Sequence, residues 1–106
     1  MTTQPLIDLT FKPLFKEALL SGRKTMTSRT QKYGKPGNQF EAFGGVFHLT
    51  EVRKELLGVI AEQYFHQEGC DSPKHFQQVW KALHPRKGFD PEQQVYLHIF
   101  EKTELA

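Results

Sequence analysis

The sequence holds a single cysteine, Cys70, so no disulfide can form within the chain, and a reducing cytoplasm is the expected compartment. It has no run of about 18 apolar residues, which excludes a membrane-spanning helix. The opening Met1-Thr2-Thr3-Gln4 carries neither the basic nor the apolar region of a secretion signal. Repeats, low-complexity stretches and linkers are absent, and no Gly-rich phosphate loop occurs, since Gly44-Gly45 reads as a turn. Metal ligands are also lacking. His66-Gln67-Glu68 has the His-x-Glu opening of a zinc deaminase, yet no Pro-Cys-x-x-Cys follows, and one cysteine cannot supply the missing ligands. No metal and no cofactor is therefore expected, and Cys70 reads as an ordinary buried thiol.

The 106 residues suit one compact domain spanning the whole chain. Nine Phe, three Tyr and one Trp, within a 38% hydrophobic composition, give that domain an aromatic-rich core. The formal net charge is only +2, but the positive charge is concentrated. Between Ala18 and Phe40 lie five basic residues (Arg23, Lys24, Arg29, Lys32, Lys35) and no acid. Such a local field attracts anionic partners, RNA or a nucleotide first among them, although the pI of 8.7 stays below that of most nucleic-acid-binding domains. A second, smaller cluster, Arg86-Lys87, reads as a solvated loop.

Periodicity and turn residues place the elements. Leu6 to Phe11 reads as a short strand feeding a helix from Pro13 to Ser21, with Pro13 at its first position and Gly22 as a left-handed exit. Strands are expected over Thr25 to Thr30, Gln39 to Phe43, Val46 to Arg53, Leu56 to Ile60 and Gln94 to Phe100. The middle pair flanks the Gly44-Gly45 hairpin signal, and Gly58 marks a bulge or close approach. A second helix starts at the N-cap Ser72 with Pro73 behind it, and Phe76, Val79, Trp80 and Leu83 recur at core-facing spacing. About six strands and two or three helices predict an α+β fold, a small mixed β-barrel with flanking helices.

The densest chemistry is Gly22-Arg23-Lys24-Thr25-Met26-Thr27-Ser28-Arg29, where a Lys, two Arg and three hydroxyls follow a helix end. Residues three apart on a flat strand face opposite ways, so Lys24 and Thr27 can share a pocket only if the chain turns or bulges near Lys24 or Thr25. Thr27 and Arg29, two apart, share a face.

With these elements in place the chain resembles an ASCH domain of the PUA-like superfold. The resemblance runs over nearly the whole chain: the Gly22–Arg29 motif, Pro36-Gly37, Glu68-Gly69-Cys70-Asp71-Ser72, Phe76, Trp80 and the last strand. The family signature is Gly-x-Lys-x-x-Glu-x-Arg, and Thr27 stands where many members carry Glu. The motif is similar to that of a bacterial branch of small ASCH proteins that hydrolyse N4-acetylcytidine. That resemblance implies a catalytic set of Lys24, Thr27 and Glu68. The local basic charge and hydroxyls make Arg23, Thr25, Arg29 and Lys32 the expected contacts to nucleoside or RNA. Other family members imply a non-catalytic RNA-binding module, and a ribonuclease is a weaker alternative.

Amide hydrolysis needs a nucleophile, a proton acceptor and an oxyanion stabiliser. Thr27 offers the hydroxyl. Lys24 can be the base only when neutral, which burial favours and a neighbouring Glu68 opposes. If Glu68 touches Lys24, the simpler scheme makes Glu68 the base and leaves Lys24 charged.

Overall fold

The computed structural model describes residues 6–103. Four strands form one antiparallel sheet in the order β1-β4-β3-β2, with β1 Met26–Arg29, β2 Gln39–Ala42, β3 Gly45–Leu56 and β4 Gln94–Lys102. A 3₁₀ turn at Pro13–Phe15 runs into α1, Lys16–Leu20; α2 spans Leu57–Gln63 and α3 Pro73–Leu83. The sheet curls into a half-barrel, so the predicted α+β, barrel-type class holds. Among the described residues no helix is long and apolar enough to cross a membrane.

Two of the six expected strands do not form. Leu6–Phe11 contributes one parallel bridge, Leu6 to Gln39, with Ile7 N–H donating to the Gln39 carbonyl at 2.8 Å. Beyond it the segment is held by side chains: Ile7, Leu9 and Phe11 alternate into an aromatic cluster. Leu56–Ile60 also departs from the reading. Leu56 is the last residue of β3, and helix α2 begins at Leu57. Leu57, Ile60 and Ala61 are buried at helical spacing, a period too short a run hides in sequence. The close approach expected at Gly58 is present: an added Cβ would sit 2.8 Å from Pro91 Cβ and 3.0 Å from its carbonyl oxygen.

The hairpin forms one residue earlier than its Gly-Gly signal. Ala42 pairs with Gly45, so Phe43 and Gly44 make the two-residue turn, with φ of 52° and 85°. Positive φ at both positions is the type I′ pattern, which matches the twist of the flanking strands. Helix α3 starts as read, with Ser72 Oγ accepting from His75 N–H at 3.0 Å and Pro73 behind it.

Strand β4 lies between β1 and β3 and is covered on both faces. Val95, Leu97 and Ile99 face a cluster built from α2 and α3, including Leu57, Ile60, Phe76 and Trp80. Phe100 faces the other way, edge-on to Phe40 and Phe47 at 5.1 and 5.6 Å between ring centres. A register shift between Leu49 and Glu51 marks a bulge in β3.

His98, on the Phe100 side of β4, is fully buried. Its Nε2 accepts from Tyr33 N–H at 2.9 Å, so the ring proton sits on Nδ1 and is donated to the Tyr96 carbonyl at 3.0 Å. Burial holds its pKa below the ordinary 6.5, and Arg29 and Lys32 push the same way.

Two outcomes follow. Gly58→Ala should destabilise the protein by about 1–3 kcal/mol in urea unfolding, because the new methyl meets Pro91 backbone; a change inside the error of the fit would show that α2 can shift. His98 is neutral when folded, so its contribution is complete above about pH 6.5 and is lost as pH falls below that value, where the unfolded chain takes up the proton. The stability gap between the native protein and His98→Gln, read from thermal melts, should shrink from pH 7.5 to pH 5.

Candidate functional site

The motif is shaped by a helix exit. Gly22, with φ of 83°, leaves α1, and Lys24 N–H turns back to the Ala18 carbonyl at 2.9 Å. Lys24 therefore lies before β1 begins at Met26. Next, Thr25 and Met26 both donate their N–H groups to the Gln67 carbonyl, at 2.8 and 3.0 Å. This junction brings the turn after α2, which carries Glu68, against the motif. Gly69 permits the approach: its φ is 90°, and a Cβ there would lie 3.3 Å from Lys24 Cβ.

Lys24 is 2% exposed and Glu68 4%, although they are 44 positions apart. Lys24 Nζ donates to the Met26 and Glu68 carbonyls, both at 2.7 Å, and to Glu68 Oε1 at 3.3 Å. An ammonium has three N–H groups, and here each has an acceptor. The Phe15 ring lies 4.6 Å from the same nitrogen. Burial lowers the Lys24 pKa from its ordinary 10.5, Glu68 opposes that shift, and Arg29 adds to it. The second carboxylate oxygen, Glu68 Oε2, accepts from Ser28 Oγ at 2.6 Å.

These groups form one wall of a cavity of about 340 Å³. Lys24, Thr27, Ser28, Arg29, Glu68 and Cys70 supply its polar side; Phe11 and Phe15, together with Phe76, Val79 and Trp80 of α3, supply apolar walls. The loop position of Lys24 resolves the strand-parity problem, since Lys24 and Thr27 face the same space. Arg29 lies beside Thr27 as expected, its Nε donating to Thr27 Oγ1 at 3.2 Å. Its Nη2 donates to the Thr10 carbonyl, and its guanidinium carbon lies over the Phe11 ring at 4.9 Å and the Tyr33 ring at 5.9 Å. Burial lowers its pKa.

Arg23, Thr25 and Lys32 lie outside the cavity wall. Arg23 is spent on the surface, its guanidinium donating to Glu17 Oε2 at 2.9 Å and to the Gly69 carbonyl at 3.0 Å. Glu17 raises its pKa. The five-residue basic stretch is thus divided: Lys24 is neutralised inside, Arg23 outside, and Arg29 is the member of the stretch that brings a cation without a carboxylate partner to the cavity among the described residues, where Lys12 also lines the wall.

Sequence reasoning passed over Ser28. It sat in the motif as the residue between two chosen ones, and strand alternation turned it away from Thr27. The signal available was its hydroxyl next to a motif that needs a carboxylate partner. Cys70 lines the cavity with its thiol pushed up to about 11 by burial, which keeps it protonated. Among the described residues no group of three His, Cys, Asp or Glu is placed to hold a metal.

The half-barrel with this helix arrangement superposes on the crystal structure of an ASCH domain from Lactobacillus crispatus JV V101. The TM-score is 0.69 at 14% identity, over 84% of this chain and 70% of that one. The fold is that of an ASCH domain. A protein from Enterococcus faecalis V583 described as a DUF984 member shares the ASCH-type architecture, with a TM-score of 0.72 and 18% identity over 98% of this chain and 84% of its own. No family model and no curated protein matches the sequence.

Removing one member of the buried pair should be costly. Glu68→Ala is expected to lower unfolding free energy by about 3–5 kcal/mol, because it strands a buried ammonium. The double variant Lys24→Met/Glu68→Leu should recover much of that loss in the same denaturant titration. A single variant as stable as the native protein would show that the pair does not hold the motif.

Proposed function

We propose that the cavity takes a modified nucleoside and hydrolyses the amide of N4-acetylcytidine. The observation that carries this reading is the Lys24–Glu68 pair buried on the wall of a largely apolar cavity, with the Thr27 hydroxyl on the same wall. A buried ion pair is a poor way to gain stability, so its place beside a hydroxyl in a cavity favours a chemical role. The volume of about 340 Å³ lies at the small end of ligand pockets and suits one nucleoside better than a folded polymer. The aromatic walls offer stacking faces for a flat base.

Thr27 Oγ is the nucleophile, forming a C–O bond to the acetyl carbon while its proton passes to the Glu68 carboxylate. The C–N bond then breaks, and the departing nitrogen takes that proton. Water, deprotonated by Glu68, then adds to the acetyl ester; the C–O bond to Thr27 breaks, Glu68 returns the proton to Thr27 Oγ, and acetate leaves. Lys24 is the fixed cation that orients Glu68. Its three satisfied N–H groups favour the charged form and so favour Glu68 as base over Lys24.

Incubation of the purified protein with N4-acetylcytidine should release cytidine and acetate, followed by chromatography. Thr27→Val and Glu68→Gln should each lose about 10²-fold or more in kcat. Unchanged substrate at high protein concentration, together with RNA retention that weakens as salt rises, would replace the hydrolase with an RNA-binding module.

A further inference from the structure

We infer that His84 reads the ribose of the nucleoside bound in this cavity, its Nε2 accepting a hydrogen bond from a sugar hydroxyl; the inference rests on the modified-nucleoside reading above. His84 caps α3 and lines the cavity with Trp80, one turn earlier on the same helix. Its Nδ1 lies 3.1 Å from the Trp80 carbonyl, which also takes the His84 backbone N–H at 2.9 Å. A carbonyl oxygen can only accept, so Nδ1 carries a ring proton and donates it. In the neutral ring Nε2 then holds a lone pair. Among the described residues that nitrogen has no partner, and it is not sealed from solvent. The ring is also fixed in place. It stacks on the Trp80 indole, 4.0 Å between centres and 22° between planes, and the indole Nε1–H donates to the Gly88 carbonyl at 3.1 Å. An acceptor held this firmly beside a cavity is preorganised for a donor on a ligand.

The course of α3 decides which part of a nucleoside arrives there. Cys70, two residues beyond Glu68, lines the cavity, and α3 follows from Pro73. Phe76, Trp80 and His84, each about one turn apart, then carry the same wall away from the reactive carboxylate. A rise of 1.5 Å per residue puts His84 about 12 Å beyond Phe76 along the helix. In N4-acetylcytidine the acetylamino group on C4 and the sugar on N1 occupy opposite positions of the pyrimidine ring. With the amide held at Thr27 and Glu68, the sugar points to the far end of the cavity, where His84 stands. Lys12, Lys24 and Arg29 of the same lining can only donate. A ribose hydroxyl therefore finds in His84 an acceptor for its proton, and a base without a sugar has no use for it.

The test is calorimetric titration with cytidine and with 1-methylcytosine, which lacks the sugar and, like cytidine, has no amide to hydrolyse. The native chain should bind cytidine more tightly. His84→Phe keeps a ring on Trp80 and removes the acceptor, so that preference should fall by about 3–10-fold, through weaker cytidine binding alone. His84→Gln, whose amide oxygen can take the place of Nε2, should keep most of it, and thermal melts verify that each variant folds. Equal affinity of the native chain for the two ligands would overturn the inference, as would a preference that His84→Phe leaves intact. Weaker binding of both ligands in both variants would make His84 a support for Trp80 and would overturn it too. Failure of the native chain to bind cytidine at millimolar concentration would remove the nucleoside reading and this role together. Turnover of N4-acetylcytidine is measured separately: a native chain with the His84-dependent preference that leaves this substrate intact would overturn the hydrolysis and keep the ribose contact.

Discussion

The contact between Lys24 and Glu68 is the constraint on which the rest of the site depends. A charged amine and a carboxylate leave water together, and the cost of desolvation is offset only if every remaining hydrogen-bonding position is filled. Here the protein fills them with two backbone carbonyls and a serine hydroxyl. That requirement explains the surrounding sequence. The glycine at position 69 lets the two segments approach, the chain must leave α1 through Gly22 so that Lys24 can turn inward, and α2 must be a helix so that the turn after it delivers Glu68.

The fold was legible where a residue's chemistry acts locally. Ser72-Pro73 marks a helix start because the cap and the missing N–H act within one turn, and Gly22 marks an exit because only glycine takes its φ cheaply. It was illegible where tertiary partners decide. Leu57–Gln63 is short, and its apolar residues fit either period; the Leu57 and Gly58 N–H bonds to the Gln93 and Pro91 carbonyls settle its entry. Leu6–Phe11 alternates like a strand and does bury alternate side chains, yet β2 offers it one bridge and no longer ladder.

The site divides in the same way. Lys24, Thr27 and Arg29 stand within one short motif, so their grouping could be read from spacing once the helix exit was placed. Glu68 came from the resemblance to a known family and not from any periodicity. The roles of Arg23 and Ser28 could not be read, since one depends on Glu17 across a turn and the other on a carboxylate 40 positions away. Net basicity was also a poor guide. Two of the cations in the stretch are paired, and from that stretch the cavity meets one unpaired guanidinium, Arg29, with Lys12 added from the segment before the first helix.

The Gln67 carbonyl, gripped by two successive amide protons, has a bearing on how this protein could vary through descent. The alignment of the two halves of the pocket is written in main-chain atoms, which every amino acid except proline shares at positions 25 and 26. Side chains there and at position 67 are thereby released from the task of registration. Lineages could exchange those at positions 25 and 67 while the reactive groups stay in place, whereas Met26 is still held to an apolar side chain by its place in the core.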